Sequence, residues 1–180
     1  ALAKLDTKTP YQIVDLGTGS GAVGLAIAKE RPNAKVFAVD CSEKALAVAR
    51  LNADILKITN ITFLQGNWYT PLPQGFYDLI VSNPPYIGKH EVALMSPETR
   101  FEPSEALFSE EEGLRDLSWV IGNARSYLKA GGWLFVEHGF LQGKKVSELF
   151  QKADFESLST WKDYGGNERV TGGRVIVEHI

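Results

Sequence analysis

Apolar runs of strand length alternate along the chain with segments of helical periodicity, almost from end to end. This alternation is typical of a parallel β-sheet covered by helices, because each strand needs a crossover to reach the next. The pattern therefore predicts an α/β fold. Strands are predicted at residues 11–16, 35–39, 61–64, 76–82 and 133–137.

Between these strands, apolar residues recur three or four positions apart, which predicts amphipathic helices. The first helix is expected to end before Pro32, since proline disfavours helical backbone in the residue before it. Ser42 can cap the second helix, whose apolar stripe contains Leu46, Ala49, Ala53 and Leu56. Helices are predicted from the glycine-rich turn at 17–21 to about residue 30, and at 43–57, 114–128 and 143–153.

Two stretches depart from this alternation. Residues 87–113 contain prolines and little periodicity, and irregular segments of that length are typically functional loops or lids. Near the end, strand-like runs at 157–162 and 174–179 are separated by too few residues for a helical crossover. We therefore expect these last two strands to be connected antiparallel.

The first predicted strand runs into a glycine-rich turn, Gly17-Thr18-Gly19-Ser20-Gly21. Such a turn before a helix lets backbone N–H groups approach an anionic ligand without an intervening side chain. Asp40 ends the second strand 23 residues after Gly17, where its carboxylate can accept hydrogen bonds from both ribose hydroxyls. Together these features predict an adenosine-type cofactor. A tight turn with a helix cap is the structural alternative.

Two adenosine cofactors differ in what this turn must hold. A nicotinamide dinucleotide brings a pyrophosphate, whereas S-adenosylmethionine brings a carboxylate, an ammonium and a sulfonium. Asp15, immediately before the turn, would repel a pyrophosphate and suits the ammonium, which favours S-adenosylmethionine. Trp68, after the third strand, is predicted to pack against adenine. A buried core tryptophan is the alternative interpretation.

The fourth predicted strand runs into Asn83-Pro84-Pro85-Tyr86, and ligands of open parallel sheets bind outside the carboxyl ends of the strands. A planar amide or amine nitrogen is a weak nucleophile because its lone pair is delocalised. The Asn83 side-chain oxygen and the Pro84 carbonyl can accept its two N–H groups and aim the lone pair at a methyl carbon. The prolines fix that carbonyl, and Tyr86 can stack on the acceptor. A rigid proline turn without a catalytic role is the alternative.

Composition narrows the possible partners. The 180 residues include 19 basic and 22 acidic side chains, a net charge of -3, and no long run of either sign. We therefore expect no direct nucleic-acid binding by this chain. The single cysteine, Cys41, and three scattered histidines predict neither a disulfide nor a metal site, which fits a reducing cytoplasm. The sequence contains neither a signal peptide nor an apolar stretch approaching ~20 residues, so nothing in it suggests membrane insertion or export.

The glycine turn, the Asp40 strand end, the Trp68 segment and the Asn83-Pro84-Pro85-Tyr86 turn occur together and in this order in the PrmC/HemK glutamine N5-methyltransferases. The chain resembles that family over essentially its whole length. Asn67 is a departure, since family members commonly carry an acid there. Narrower signatures at matching places are residues 100–103, 106–107, 137–139, 142–143 and 163–169.

The resemblance implies a Rossmann-like class I methyltransferase fold, with a seven-stranded, mostly parallel sheet, an antiparallel last strand and helices on both faces. It implies S-adenosylmethionine as the cofactor, contacted by residues 17–21, Asp40, Trp68 and Asn83, with substrate contacts at residues 83–86. The implied substrate is the glutamine in the Gly-Gly-Gln segment of peptide chain release factors.

The family also carries a helical domain before this region that helps to engage the release factor. Residues 1–180 are therefore expected to be the catalytic domain, with that helical domain absent from this chain. An alternative activity is methylation of an exocyclic amine on a nucleic-acid base, which the net charge of -3 disfavours. A binding module without activity is a further alternative, which the intact 83–86 motif disfavours.

Overall fold

The computed structural model describes residues 1–85, 87–88, 108–109 and 113–176. A 3-10 helix, Leu2–Lys4, precedes the first strand. The strands are β1 Gln12–Leu16, β2 Lys35–Asp40, β3 Ile61–Gln65, β4 Tyr77–Ser82, β5 Ile87–Gly88, β6 Phe108–Ser109, β7 Leu128–Glu137, β8 Phe155–Lys162 and β9 Glu168–Val175. The α-helices are α1 Ala22–Glu30, α2 Glu43–Leu56, α3 Arg115–Ala124 and α4 Gly143–Lys152.

The main sheet of the described residues has seven strands in the order β3-β2-β1-β4-β7-β9-β8. The first five strands in this order are parallel, whereas β9 runs antiparallel to both of its neighbours. This arrangement confirms the predicted mostly parallel sheet with an antiparallel last strand. The short strands β5 and β6 form a separate parallel pair within the segment predicted to be irregular.

The sheet is covered on both faces, as predicted. Val14 belongs to a core cluster that includes Leu117 of α3 and Val146 of α4. Its neighbour Ile13 belongs to a second cluster, with Ile27 of α1. Because successive side chains of a strand point to opposite faces, covering both faces makes a central strand read as a continuous apolar run.

The second helix agrees with its predicted cap and largely with its predicted stripe. Ser42 Oγ accepts a hydrogen bond from the Ala45 N–H at 3.3 Å, and Leu46, Ala49 and Ala53 are buried. Leu56, however, is half exposed. The ten positions from Leu46 to Leu56 rotate about 80° less than three full helical turns, so Leu56 lies at the side of the apolar stripe.

The boundary between α3 and β7 was predicted wrongly. The helix ends at Ala124 rather than near residue 128, and β7 begins at Leu128 rather than at 133. The strand contains a β-bulge, since Leu128 pairs with Tyr77 but Trp133 pairs with Leu79. The two consecutive glycines at 131–132 therefore lie inside a bulged strand, although adjacent glycines usually indicate a turn.

The last strand was also placed wrongly, because β9 begins at Glu168 rather than at 174 and ends at Val175. Gly172 and Gly173 lie inside it, where a Cβ at Gly172 would collide with the Phe135 ring. Glycine is thus needed for the strand to cross that ring closely, and it does not mark a turn. Residues 177–179 of the predicted strand lie outside the described residues. Within the described ranges, no helix is long and apolar enough to cross a membrane.

Candidate active site

The predicted motifs meet at one edge of the sheet because the register of the parallel strands aligns their carboxyl ends. Leu16 of β1 pairs with Val39 of β2 and with Ser82 of β4. The next residues, Gly17, Asp40 and Asn83, therefore lie side by side at the same edge, with Asp40 as the last residue of β2. This is the edge at which open parallel sheets bind ligands.

The glycine turn uses backbone conformations that other residues rarely adopt. Gly17, Gly19 and Gly21 all have positive φ, at 71°, 55° and 85°. Gly21 also lacks room for a side chain, since a Cβ there would lie 2.9 Å from Leu25 Cδ1. The sequence therefore folds this segment into a tight turn that leads directly into α1.

Asp40 fastens the glycine turn to the start of α2. Its Oδ2 accepts the Gly19 N–H at 2.8 Å, and its Oδ1 accepts the Ser42 N–H at 2.8 Å. The sequence predicts only a ribose contact for Asp40 and indicates neither of these two backbone contacts. Each carboxylate oxygen has a second lone pair, so both can still accept from hydroxyls.

Asp15 is buried beneath the same turn. Its Oδ2 accepts the Thr18 hydroxyl at 2.6 Å and the Gly24 N–H at 2.8 Å, which ties the turn to α1. Burial raises the pKa of this carboxyl from 3.8 to about 6, although the two hydrogen bonds oppose the shift. The predicted contact with an ammonium group stays a prediction, beside a structural role that the sequence did not indicate.

The raised pKa makes a prediction about stability. Because the folded state holds this proton more tightly, its stability should fall as pH rises from about 4 to about 6, by roughly 3 kcal/mol from Asp15 alone. Asp15→Asn keeps an acceptor oxygen and removes the titration. As pH rises from about 4 to about 6, the unfolding free energy of the variant should therefore increase relative to that of the wild type.

Urea denaturation at pH 4, 5, 6 and 7 measures that difference. Asp54→Asn, which removes an exposed carboxylate of α2, controls for the change of net charge. A difference that stays constant with pH would show that Asp15 does not titrate in this range.

Trp68 lies between the core and the glycine turn. Its ring packs partly against the first core cluster, and its Cζ3 lies 3.6 Å from the position that a Cβ of Gly17 would occupy. Trp68 also has a positive φ of 49°, an unusual conformation for a large residue. One part of the Trp68 ring thus packs in the core and another part lies near the glycine turn. The contact with adenine remains a prediction.

The end of β4 presents the acceptor motif. Asn83 is exposed, Pro84 is buried and Pro85 is half-buried. Ser82 Oγ donates to the Leu16 carbonyl at 2.8 Å, which locks β4 to β1 at this point. A Cβ added at Gly17 would lie 3.7 Å from the Asn83 carbonyl oxygen, so the acceptor motif and the glycine turn are neighbours. Tyr86 lies outside the described residues.

A further turn at this edge received no role from the sequence beyond the family signature at 137–139. Ser82 pairs with Val136 of β7, so the residues after β7 lie beside Asn83. His138 is fully buried there; its Nδ1–H donates to the Gly139 carbonyl, and its Nε2 accepts from Thr171, both at 2.9 Å. Burial lowers the pKa of His138, so the ring is neutral and joins the end of β7 to β9.

This strand order, with a glycine turn after β1, an acidic end to β2 and a polar turn after β4, defines the class I methyltransferase fold. The methyltransferase small domain family model matches residues 1–114. The chain therefore belongs to the methyltransferase small domain family.

Curated relatives resemble a longer stretch of the chain. It is 48% identical over 174 residues to the release factor glutamine methyltransferase of Salmonella typhimurium. It is 44% identical over 174 residues to the protein of the same name from Escherichia coli strain K12. Each match covers 97% of this chain and 62% of the relative, so the chain spans about 62% of the length of these relatives.

Solved structures agree on the fold. An O-methyltransferase from Thermotoga maritima matches with a TM-score of 0.73 at 16% identity, over 99% of this chain and 64% of that one. A ribosomal protein L11 methylase from Lactobacillus delbrueckii matches with a TM-score of 0.65 at 22% identity, over 96% of this chain and 72% of that one. At such low identity these matches establish the architecture alone.

Proposed function

We propose that this chain transfers the methyl group of S-adenosylmethionine to the side-chain amide nitrogen of the glutamine in the Gly-Gly-Gln segment of peptide chain release factors. The observation that carries the proposal is that the exposed Asn83 turn and the glycine turn lie next to each other at one edge of the sheet. The relatives named release factor glutamine methyltransferase support the choice of substrate.

The residues at this edge fit the cofactor. Among the described residues, no atom lies within 4 Å of the Cβ position of Gly19, so the turn faces open space there. We assign cofactor binding to residues 17–21, Asp40, Trp68 and Asn83. When bound, S-adenosylmethionine supplies an electrophilic methyl group on a sulfonium. The Asp40 oxygens, already aligned by Gly19 and Ser42, provide the acceptors for a ribose.

The chain's own contribution to methyl transfer is orientation of the amide. The Asn83 side-chain oxygen accepts one N–H of the substrate glutamine and the Pro84 carbonyl accepts the other. The rings of Pro84 and Pro85 restrict the backbone and so limit the direction of that carbonyl, and we expect Tyr86 to stack on the amide plane. Alignment of this kind provides several of the roughly 7–11 kcal/mol available from proximity and orientation. The nitrogen becomes acidic as it is methylated and loses its proton to solvent, so no general base is required.

Release factors act on ribosomes, so we propose a cytoplasmic location, where the thiol of the exposed Cys41 stays reduced. The competing activity, methylation of a nucleic-acid base, requires neutralisation of phosphates. The net charge of -3 and the even mixture of signs favour a protein substrate.

One competition assay tests the proposed function. Methyl-labelled cofactor is incubated with the chain, a full-length release factor and duplex DNA in the same reaction. Label is expected in the release factor only, and replacing the glutamine of its Gly-Gly-Gln segment with alanine should abolish it. Label in the DNA would support the base-methylation alternative, and label in neither macromolecule would contradict the proposal.

A further inference from the structure

Among the described residues at the carboxyl edge of the sheet, large apolar side chains are exposed at Phe140, Leu141 and Tyr164, at 45%, 69% and 113% of their reference areas. We call these three residues the edge patch. Phe140 and Leu141 lie in the turn between β7 and α4, and Tyr164 lies in the turn between β8 and β9. Large apolar groups gathered in water at one place usually mark a contact surface.

The edge patch lies on the same side of the sheet as Asn83. Glu137, at the end of β7, pairs with Val170 of β9, and β9 is antiparallel to both β7 and β8. Strand β8 therefore runs in the direction of β4, and the turn after it projects from the edge that carries Asn83. From β4 to β8 there are three strand spacings, roughly 14 Å at ~4.8 Å each.

Tyr164 is held on a rigid turn. Asp163 and Asn167 close the turn through two backbone N–H groups, with Asp163 N–H to the Asn167 carbonyl at 2.8 Å and Asn167 N–H to Asp163 Oδ1 at 2.9 Å. The Gly166 N–H also donates to the Asp163 carbonyl, at 3.0 Å. An exposed aromatic ring on an ordered backbone loses little conformational entropy when a partner covers it.

The turn that carries Phe140 is fastened in the same way and is joined to the first. The Gly139 N–H donates to Gln142 Oε1 at 2.8 Å, and the Gln142 N–H donates to the Gly139 carbonyl at 2.9 Å. The Arg169 guanidinium lies 5.9 Å from the centre of the Phe140 ring, while its Nε donates to Asp163 Oδ2 at 3.1 Å. The Arg169 side chain thus bridges the two turns.

The charges around the edge patch are balanced. Asp163 and Glu168 lie beside Lys162 and Arg169 in sequence, and Arg169 is paired with Asp163. A phosphate backbone is held by unpaired basic groups. This surface therefore suits a protein partner with an apolar contact rather than a nucleic acid.

We propose that the edge patch is a docking surface for the release factor, outside its Gly-Gly-Gln segment; this inference rests on the proposed function. A standard protein interface covers about 800 Å² on each partner, which is a disc of roughly 16 Å radius. A protein whose glutamine reaches Asn83 is therefore large enough to cover a surface roughly 14 Å away at the same edge. Exposed, preorganised tyrosine is typical of the residues that carry binding energy in such interfaces.

Tyr164→Ala should raise KM for a full-length release factor about tenfold and leave kcat unchanged, because a remote contact contributes equally to the ground state and the transition state. Tyr164→Phe, which keeps the ring, should restore most of the lost affinity. Phe76→Ala is the matched control, since Phe76 is 59% exposed and precedes β4 at the opposite edge. The cofactor dissociation constant should be the same in all four proteins.

The outcomes separate the two proposals. Methylation of the release factor with an unchanged KM in Tyr164→Ala would refute the docking surface and leave the proposed function standing. An equal rise of KM in Phe76→Ala would also refute it. So would a Tyr164→Ala variant that binds duplex DNA more weakly than the unchanged chain does but binds the release factor equally well. Absence of methylation by the unchanged chain would refute the proposed function and the docking surface together.

Discussion

Asn83→Ala is expected to lower kcat for release factor methylation by roughly 10²–10³, by analogy with the removal of one preorganised polar contact from a transition state. The side chain of Asn83 is exposed at the end of β4, and its backbone carbonyl faces Gly17. The substitution therefore removes the acceptor of the substrate N–H without opening a cavity. Single-turnover methylation measures the effect on the chemical step directly.

Asn83→Asp is the more informative partner variant. It preserves an acceptor oxygen, so it should retain more activity than Asn83→Ala. Cofactor dissociation constants should change less than single-turnover rates in both variants. A near-normal rate in Asn83→Ala would reduce the 83–86 motif to a structural turn.

Asp40→Ala is expected to weaken binding of S-adenosylmethionine by roughly a hundredfold or more, since two charge-assisted hydrogen bonds to ribose contribute about 1.5–3 kcal/mol each. The structure adds a second reason. Removal of the carboxylate also releases the N–H groups of Gly19 and Ser42, and with them the alignment of the glycine turn. Titration calorimetry with the cofactor measures the loss.

Asp40→Asn separates charge from geometry. An asparagine has one acceptor oxygen, so its NH₂ group would face either Gly19 N–H or Ser42 N–H as donor against donor. We therefore expect this variant to bind the cofactor nearly as weakly as Asp40→Ala. Glu43→Gln removes the exposed carboxylate of the Arg50–Glu43 pair and serves as the control. Wild-type affinity in Asp40→Asn would show that the charge at residue 40 is not needed, and wild-type affinity in Asp40→Ala would exclude Asp40 from the cofactor site.

Much of the fold follows from local pattern. Apolar runs and helical periodicity predict the parallel part of the sheet and its helices, because each element must bury a face that its own sequence defines. The errors fall where backbones approach closely. Glycines at 131–132 and 172–173 resemble turn signals, yet they lie inside β7 and β9, at a bulge and at the crossing of Phe135. Only the neighbouring strand shows why glycine is required there.

The candidate site divides in the same way. The sequence by itself predicted the glycine turn, Asp40 and the turn at Asn83, because the chemistry of each motif is contained in adjacent residues. Only the tertiary structure shows that Asp15 is buried with a raised pKa. It also shows that Asp40 accepts a hydrogen bond from the glycine turn, in addition to the ribose contact that the sequence predicts. It also decided that Tyr164 is exposed on the edge that carries Asn83. Burial and strand register depend on residues far apart in the chain, so no local pattern contains them.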